Sequence, residues 1–155
     1  MNLTIRNAKL KDTDYILSGI KDIFRIEKAV LTNDMLSEQK KLIIKAIKNK
    51  EIRVAIKENN PIGFLWFIFD DKTPFGLNYG KWGKKYCWVN WVYVSRKYRG
   101  RDIGFLLYND LIKICKNKGV NDIMLDVFAV NKKALKFHKK MGFKSILSIY
   151  NKKLK

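Results

Sequence analysis

The sequence predicts an α/β domain of mixed type: a twisted, mostly antiparallel sheet that also holds one parallel pair. Three observations predict it. The runs Ile52 to Lys57 and Ile62 to Phe69 flank the turn residues Glu58-Asn59-Asn60-Pro61, which is the pattern of a β-hairpin. An apolar run from Tyr86 to Val94 is followed by a helical stripe and a second strand-like run from Asn121 to Phe128, and a crossover helix between two strands implies a parallel, right-handed pair. Two segments before the hairpin repeat their apolar residues at helical spacing. The 155 residues suit a single domain spanning positions 1–155.

Each element has a local reason. Leu3 to Ala8 alternates as a first strand, and Asp12 or Thr13 can then cap a helix carrying Ile16, Ile20, Ile23 and Phe24 on one stripe. Leu36, Ile43, Ile44 and Ile47 mark a second helix over 35–49, with Asp34 or Ser37 near its start. The strand Ile62 to Phe69 is apolar throughout and therefore buried on both faces. Asp70 to Lys85 is polar and glycine-rich, long for a connection in a compact domain, and is expected to form a substrate-side flap or an extended hairpin. Gly104 to Lys118 presents Leu107, Leu111, Ile114 and Cys115 on one face and stops at Gly119. Asn131 can cap a last helix that ends at Gly142, and Phe143 to Tyr150 reads as a final strand.

Bulk properties narrow the function classes. The longest apolar run falls far short of the ~20 residues a membrane-spanning helix needs, and the amino terminus lacks a signal peptide's apolar core. A cytoplasmic protein without a membrane role is expected. Two distant cysteines, Cys87 and Cys115, and one histidine make a metal site improbable, and buried free thiols are the plain expectation beside a Cys87–His138 nucleophilic pair. The formal charge of +19 favours anionic partners. Its lysines are scattered and no nucleic-acid module is recognisable, so no specific nucleic-acid partner is expected.

The chemistry concentrates in Val92 to Leu107. There an apolar strand stops in Arg96, Lys97, Arg99 and Arg101 around Gly100, and a helix with Gly104 near its start follows. Unpaired N–H groups and the helix dipole make such a start an anion cradle. It is not a Walker loop, because no Gly-Lys-Ser/Thr follows, and it lacks the spaced glycines of a dinucleotide fingerprint.

Arg99-Gly100-Arg101-Asp102-Ile103-Gly104 resembles the acyl-CoA motif of the GCN5-related N-acetyltransferase (GNAT) family, Arg/Gln-x-x-Gly-x-Gly/Ala, with Asp102 where that family usually has glycine. Asn131-Lys132-Lys133-Ala134, then Phe137-His138 and Gly142-Phe143, is similar to the family's closing motif, with His138 in place of tyrosine. Ile5-Arg6 followed by Asp12 and an amphipathic helix also looks like the family's beginning.

The resemblance implies about six or seven strands and four helices, with the fourth and fifth strands parallel and splayed around CoA. It implies acetyl-CoA as co-substrate, no metal, and an amine acceptor. Backbone groups of Arg99, Gly100, Arg101, Asp102, Ile103 and Gly104 would hold the pyrophosphate, while Val92, Tyr93 and Val94 pair with the pantetheine and polarise the thioester. Asn131 matches a position that contacts the pantetheine arm. His138 stands where a tyrosine serves as general acid, and an imidazole of ordinary pKa would be partly protonated near neutrality. Asp126 matches a position where some members carry the basic glutamate; Asn90, Tyr93 and Tyr98 could orient a relay water.

An acidic peptide or anionic metabolite carrying the amine is what the net charge favours. A monomer or a homodimer is compatible with the sequence. A non-catalytic acyl-CoA sensor, or a basic nucleic-acid-associated protein on the same fold, are the alternative classes.

Overall fold

The computed structural model describes residues 3–71 and 85–154, so the expected flap between Asp70 and Lys85 lies almost wholly outside the described residues. Five strands form one sheet in the order β1-β2-β3-β4-β5: Leu3–Asn7, Ile52–Lys57, Asn60–Asp70, Tyr86–Val94 and Ile123–Leu125. Neighbours are antiparallel except β4 and β5, which run parallel. The β2–β3 hairpin turns through Glu58 and Asn59, both at positive φ.

Helices α1 (Thr13–Glu27) and α2 (Asn33–Lys48) cover one face of the sheet, while α3 (Ile103–Asn117) and α4 (Lys132–Lys140) cover the other. On the first face Ile16, Ile20 and Ile43 pack on Val54 and Phe64. On the second, Leu107 and Leu111 pack on Leu65, Phe67 and Val89. Because β3 feeds both clusters, it is buried along most of its length, as its unbroken apolar run requires. α1 approaches the sheet closely at Gly19, where an added Cβ would lie 2.5 Å from a Phe64 ring carbon and 2.7 Å from one of Tyr93.

The start of α1 departs from expectation, while Asp34 lies in the first turn of α2 as expected. Asp12 does not cap α1 through its side chain; its buried carboxylate accepts hydrogen bonds from Arg6 Nη1 (2.7 Å), Arg6 Nη2 (3.0 Å) and Lys9 N (2.7 Å). Burial pushes its pKa up, but the Arg6 and Lys9 donors outweigh that and hold it below the usual value. The α2 cap is Thr32, whose hydroxyl accepts from Met35 N at 3.2 Å, ahead of both Asp34 and Ser37.

The expected strand from Phe143 to Tyr150 is corrected. No strand is assigned there, and Ile146, Leu147, Ile149 and Tyr150 are exposed. The physical reason lies in β5, which is only three residues long and offers little edge for a further ladder. Among the described residues the sheet thus has five strands, not six or seven. No helix of the described residues is long and apolar enough to cross a membrane, and none of their His, Cys, Asp and Glu side chains group as a metal site would require.

Candidate active site

β4 and β5 pair only through Cys87, Trp88 and Val89 with Ile123, Met124 and Leu125. Beyond that point β4 continues to Val94 still paired with β3, while β5 has ended. The edge of Asn90 to Val94 that faces β5 is consequently left open. A β-bulge helps to splay the strand: Trp66 faces Trp91 and Phe67 faces Val89, so Asn90 is the extra residue.

A cavity of about 710 Å³ occupies this split. Val92, Asp126, Asn131 and His138, four of the residues expected from the sequence, all line it, as does Asn90. Tyr93 and Tyr98 do not. The Tyr93 hydroxyl donates to Asp22 Oδ2 on α1 at 2.8 Å, which removes it from the role of orienting a relay water.

His138 is buried on α4, with its ring amid those of Tyr108, Phe137 and Phe143. Its Nε2 shares a 2.9 Å hydrogen bond with the hydroxyl of Tyr108, a fully buried α3 residue that also lines the cavity. Burial lowers the His138 pKa from the ordinary 6.5, and the Ala134 backbone offsets this only in part. The protonated imidazole expected near neutrality is therefore disfavoured. Burial also raises the Tyr108 pKa, so the phenol keeps its proton. Sequence reasoning missed Tyr108 because it adjoins Leu107 in an apolar helical run; only the docking of α4 gives its hydroxyl a partner.

A second missed residue is Glu27, at the C-terminal end of α1. Its Oε1 accepts from Asn131 Nδ2 at 3.2 Å, across 104 residues of sequence. Burial raises its pKa; the Asn131 donor opposes this, and the nearby charge of Asp126 adds to the rise. Asn131 thus has two tasks, since its Oδ1 also caps α4 by accepting from Ala134 N at 3.2 Å.

The residues Arg99 to Gly104 lie past the end of β4. Arg99 turns back onto the strand: its Nε donates to the Val94 carbonyl at 2.8 Å and its guanidinium lies 5.6 Å from the Tyr93 ring centre. Gly100 has φ 73° and Asp102 has φ 58°. The second value explains why glycine suits position 102, and aspartate is among the few other residues that tolerate this left-handed region. The first intrahelical bond of α3 runs from Leu106 N to Asp102 O, which leaves the N–H groups of Ile103, Gly104 and Phe105 ahead of the ladder. Gly104 also serves packing, because an added Cβ would meet Phe137 at 2.9 Å. Close by, Lys57, Lys97 and Arg101 gather around the Tyr98 ring at 5.7, 5.0 and 6.0 Å from its centre. Lys57 comes from β2 and was not evident from the sequence.

The cysteines correct one alternative. Cys87 and Cys115 are both buried, and the nearest titrating neighbour of Cys87 is the Cys115 thiol rather than His138. The neighbouring Cys115 thiol, together with burial, pushes the Cys87 pKa up, so it is an inert core thiol.

An unpaired strand edge thus runs from the cavity toward the start of α3, with Lys57, Lys97 and Arg101 gathered at Tyr98 just ahead of that helix. The chain belongs to the acetyltransferase (GNAT) family, whose model matches residues 20–143. It is 24% identical to the thialysine N-epsilon-acetyltransferase of Sus scrofa over 163 aligned positions, covering 94% of this chain and 86% of that protein. Two solved structures share the fold. A predicted acetyltransferase of Clostridium acetobutylicum, solved with acetyl-CoA, superposes with a TM-score of 0.74 at 19% identity, covering 97% of this chain and 96% of that one. The PaiA N-acetyltransferase of Thermoplasma acidophilum, in complex with coenzyme A, gives 0.70 at 20% identity, covering 93% and 91%.

Proposed function

We propose that this protein transfers the acetyl group of acetyl-CoA to a primary amine. The observation that carries the reading is the split itself. From Asn90 to Val94 the edge of β4 has no strand partner on its β5 side, the hydrogen-bonded Tyr108–His138 pair lines the cavity from the α3–α4 side, and Glu27 and Asp126 line it as well.

The chain's own groups fit the ligand. The N–H groups of Ile103, Gly104 and Phe105 and the cations around Tyr98 suit the pyrophosphate and the ribose phosphate. The free edge of β4 suits the amide-bearing pantetheine as an added strand, and its N–H groups can stabilise the oxyanion. Bound this way, acetyl-CoA presents a thioester carbon to the cavity.

The amine nitrogen attacks that carbon, and the carbon–sulfur bond breaks as the oxyanion collapses. The amine's proton passes to Glu27 or Asp126, directly or through water. Burial and the nearby charge of Asp126 raise the basicity of Glu27, which suits it to take that proton. Tyr108, backed by His138, protonates the leaving thiolate, in the role that the resemblance gives to His138 alone.

The experiment is release of free CoA thiol on adding amines to protein and acetyl-CoA. Amine-dependent release with an acetylated product is expected. Acetyl-CoA binding without release for any amine would leave an acyl-CoA-binding module instead.

Asp102 supplies a test of the anion end. Asp102→Gly relieves the left-handed backbone and removes a carboxylate from the phosphate's surroundings, so CoA binding is expected to tighten about threefold. Asp102→Val is expected to weaken it and to cost about 1 kcal/mol of stability through backbone strain. Calorimetric titration with CoA and thermal unfolding check both; weaker binding by the glycine variant would mean that the Asp102 side chain itself contacts the ligand favourably.

A further inference from the structure

Three of the chain's four tryptophans, Trp66, Trp88 and Trp91, line the cavity. The register makes them a surface: Trp66 faces Trp91, and Ile68 faces Trp88, and cross-strand partners share a side of the sheet. Trp66 and Trp91 belong to the face covered by α1 and α2. This half of the cavity lies across the sheet from Tyr108 and His138, which belong to the side covered by α3 and α4.

Its charge is the reverse of the molecule's. The chain has 33 Lys and Arg against 14 Asp and Glu, yet among the described residues the charged side chains lining the cavity are Glu27, Glu51 and Asp126 against Lys45. The three carboxylates are spread along the cavity, because Glu51 precedes β2 whereas Asp126 follows β5. Three strand spacings separate β2 from β5, roughly 14 Å. Glu51 is held in place by Asn49 Nδ2 at 3.0 Å. Two buried polar atoms on these walls, Gln39 Oε1 and Trp66 Nε1, have no hydrogen-bond partner, and Trp66 is only 6% exposed. The trough therefore presents an apolar aromatic floor with carboxylates spread along it.

We infer that the acceptor is an aliphatic diamine or polyamine: a primary amine at Glu27 and Asp126, an alkyl chain over the indoles, and a second ammonium toward Glu51. This rests on the acetyltransferase reading and goes beyond it by naming the acceptor's class. Indole faces attract both methylenes and ammonium groups, which an anionic acceptor would not exploit. The local balance opposes the acidic acceptor that the net charge alone favours.

The test compares 1,4-diaminobutane, butylamine and 4-aminobutyrate as acceptors with the wild-type protein and Glu51→Gln. The diamine is expected to exceed 4-aminobutyrate in kcat/KM by about 100-fold, the scale of a desolvated like-charge penalty. Glu51→Gln is expected to raise the diamine's KM about fivefold, as loss of a partly exposed ion pair would, with kcat and the butylamine KM unchanged. Equal or better use of 4-aminobutyrate, or an equal effect of Glu51→Gln on both amines, overturns the inference while leaving acetyl transfer intact. Transfer to none of the three by protein that binds acetyl-CoA overturns the inference; CoA release with any other amine then keeps the transferase reading, and release with none removes it.

Discussion

Tyr108→Phe is expected to lower kcat about 100-fold with little change in acetyl-CoA affinity, the usual scale for loss of a positioned general acid. The phenol is fully buried and shares a hydrogen bond with His138 Nε2, so the substitution removes a proton donor without opening space. His138→Phe keeps the aromatic packing against Phe137 and Phe143 but leaves the Tyr108 hydroxyl without its partner, and a fall of about tenfold or more is expected from the lost orientation. The pH profile separates the roles. Since burial lowers the His138 pKa below 6.5, kcat is expected not to decline between pH 6 and 8 as an imidazolium acid would require. The raised pKa of Glu27 is expected to place the rising, acidic limb of kcat above the ordinary carboxylate range, and Glu27→Gln to abolish it. Steady-state rates of the three variants over pH 5 to 9 check this; an unchanged kcat for Tyr108→Phe would remove the phenol from the mechanism.

Asp12→Ala carries the largest expected effect on stability, about 3 kcal/mol, because it leaves the Arg6 guanidinium without its buried counter-ion. The Asp12 carboxylate is 3% exposed at its side chain and takes three donors, so it also ties β1 to the start of α1. Its sign with pH follows from its lowered pKa. The stabilisation is complete above the unfolded carboxylate pKa of about 4 and is lost as pH falls through the folded value. Denaturant unfolding at pH 7 and pH 3 checks it: the variant is expected to lose most at pH 7, and the gap to the wild type is expected to narrow in acid. A gap that widened in acid would contradict the ion-pair account.

The elements were legible where period and punctuation agreed. The β2–β3 hairpin, the α3 stripe of Leu107, Leu111 and Cys115, and the cap and stop of α4 at Asn131 and Gly142 were all readable from local sequence. So was the helix start at Ile103 and Gly104, since glycines and cations mark it directly. Phe143 to Tyr150 follows the stop at Gly142 and is rich in apolar residues, but it has too little neighbouring edge to pair with, and pairing is not a local property.

The site shows the same division. Asp126, Asn131 and His138 could be named because they sit in a motif, whereas Tyr108 and Glu27 acquire their roles from contacts spanning 30 and 104 residues. Lys57 joins the cations near α3 only because β2 ends beside the turn that follows β4. The reversed charge of the cavity was hidden for a related reason. Composition counts every lysine, while the fold gathers three acids with three tryptophans in one trough.

The central claim is that the open edge of β4 and the start of α3 together hold the acyl donor. Amide hydrogen exchange with and without saturating acetyl-CoA tests it most directly, because it reads individual backbone N–H groups. Slower exchange is expected in Asn90–Val94 and in Ile103–Phe105, with the α1 amides from Ile16 to Ile20 unchanged. Saturation binding that leaves both segments exchanging at their free rates would contradict the account.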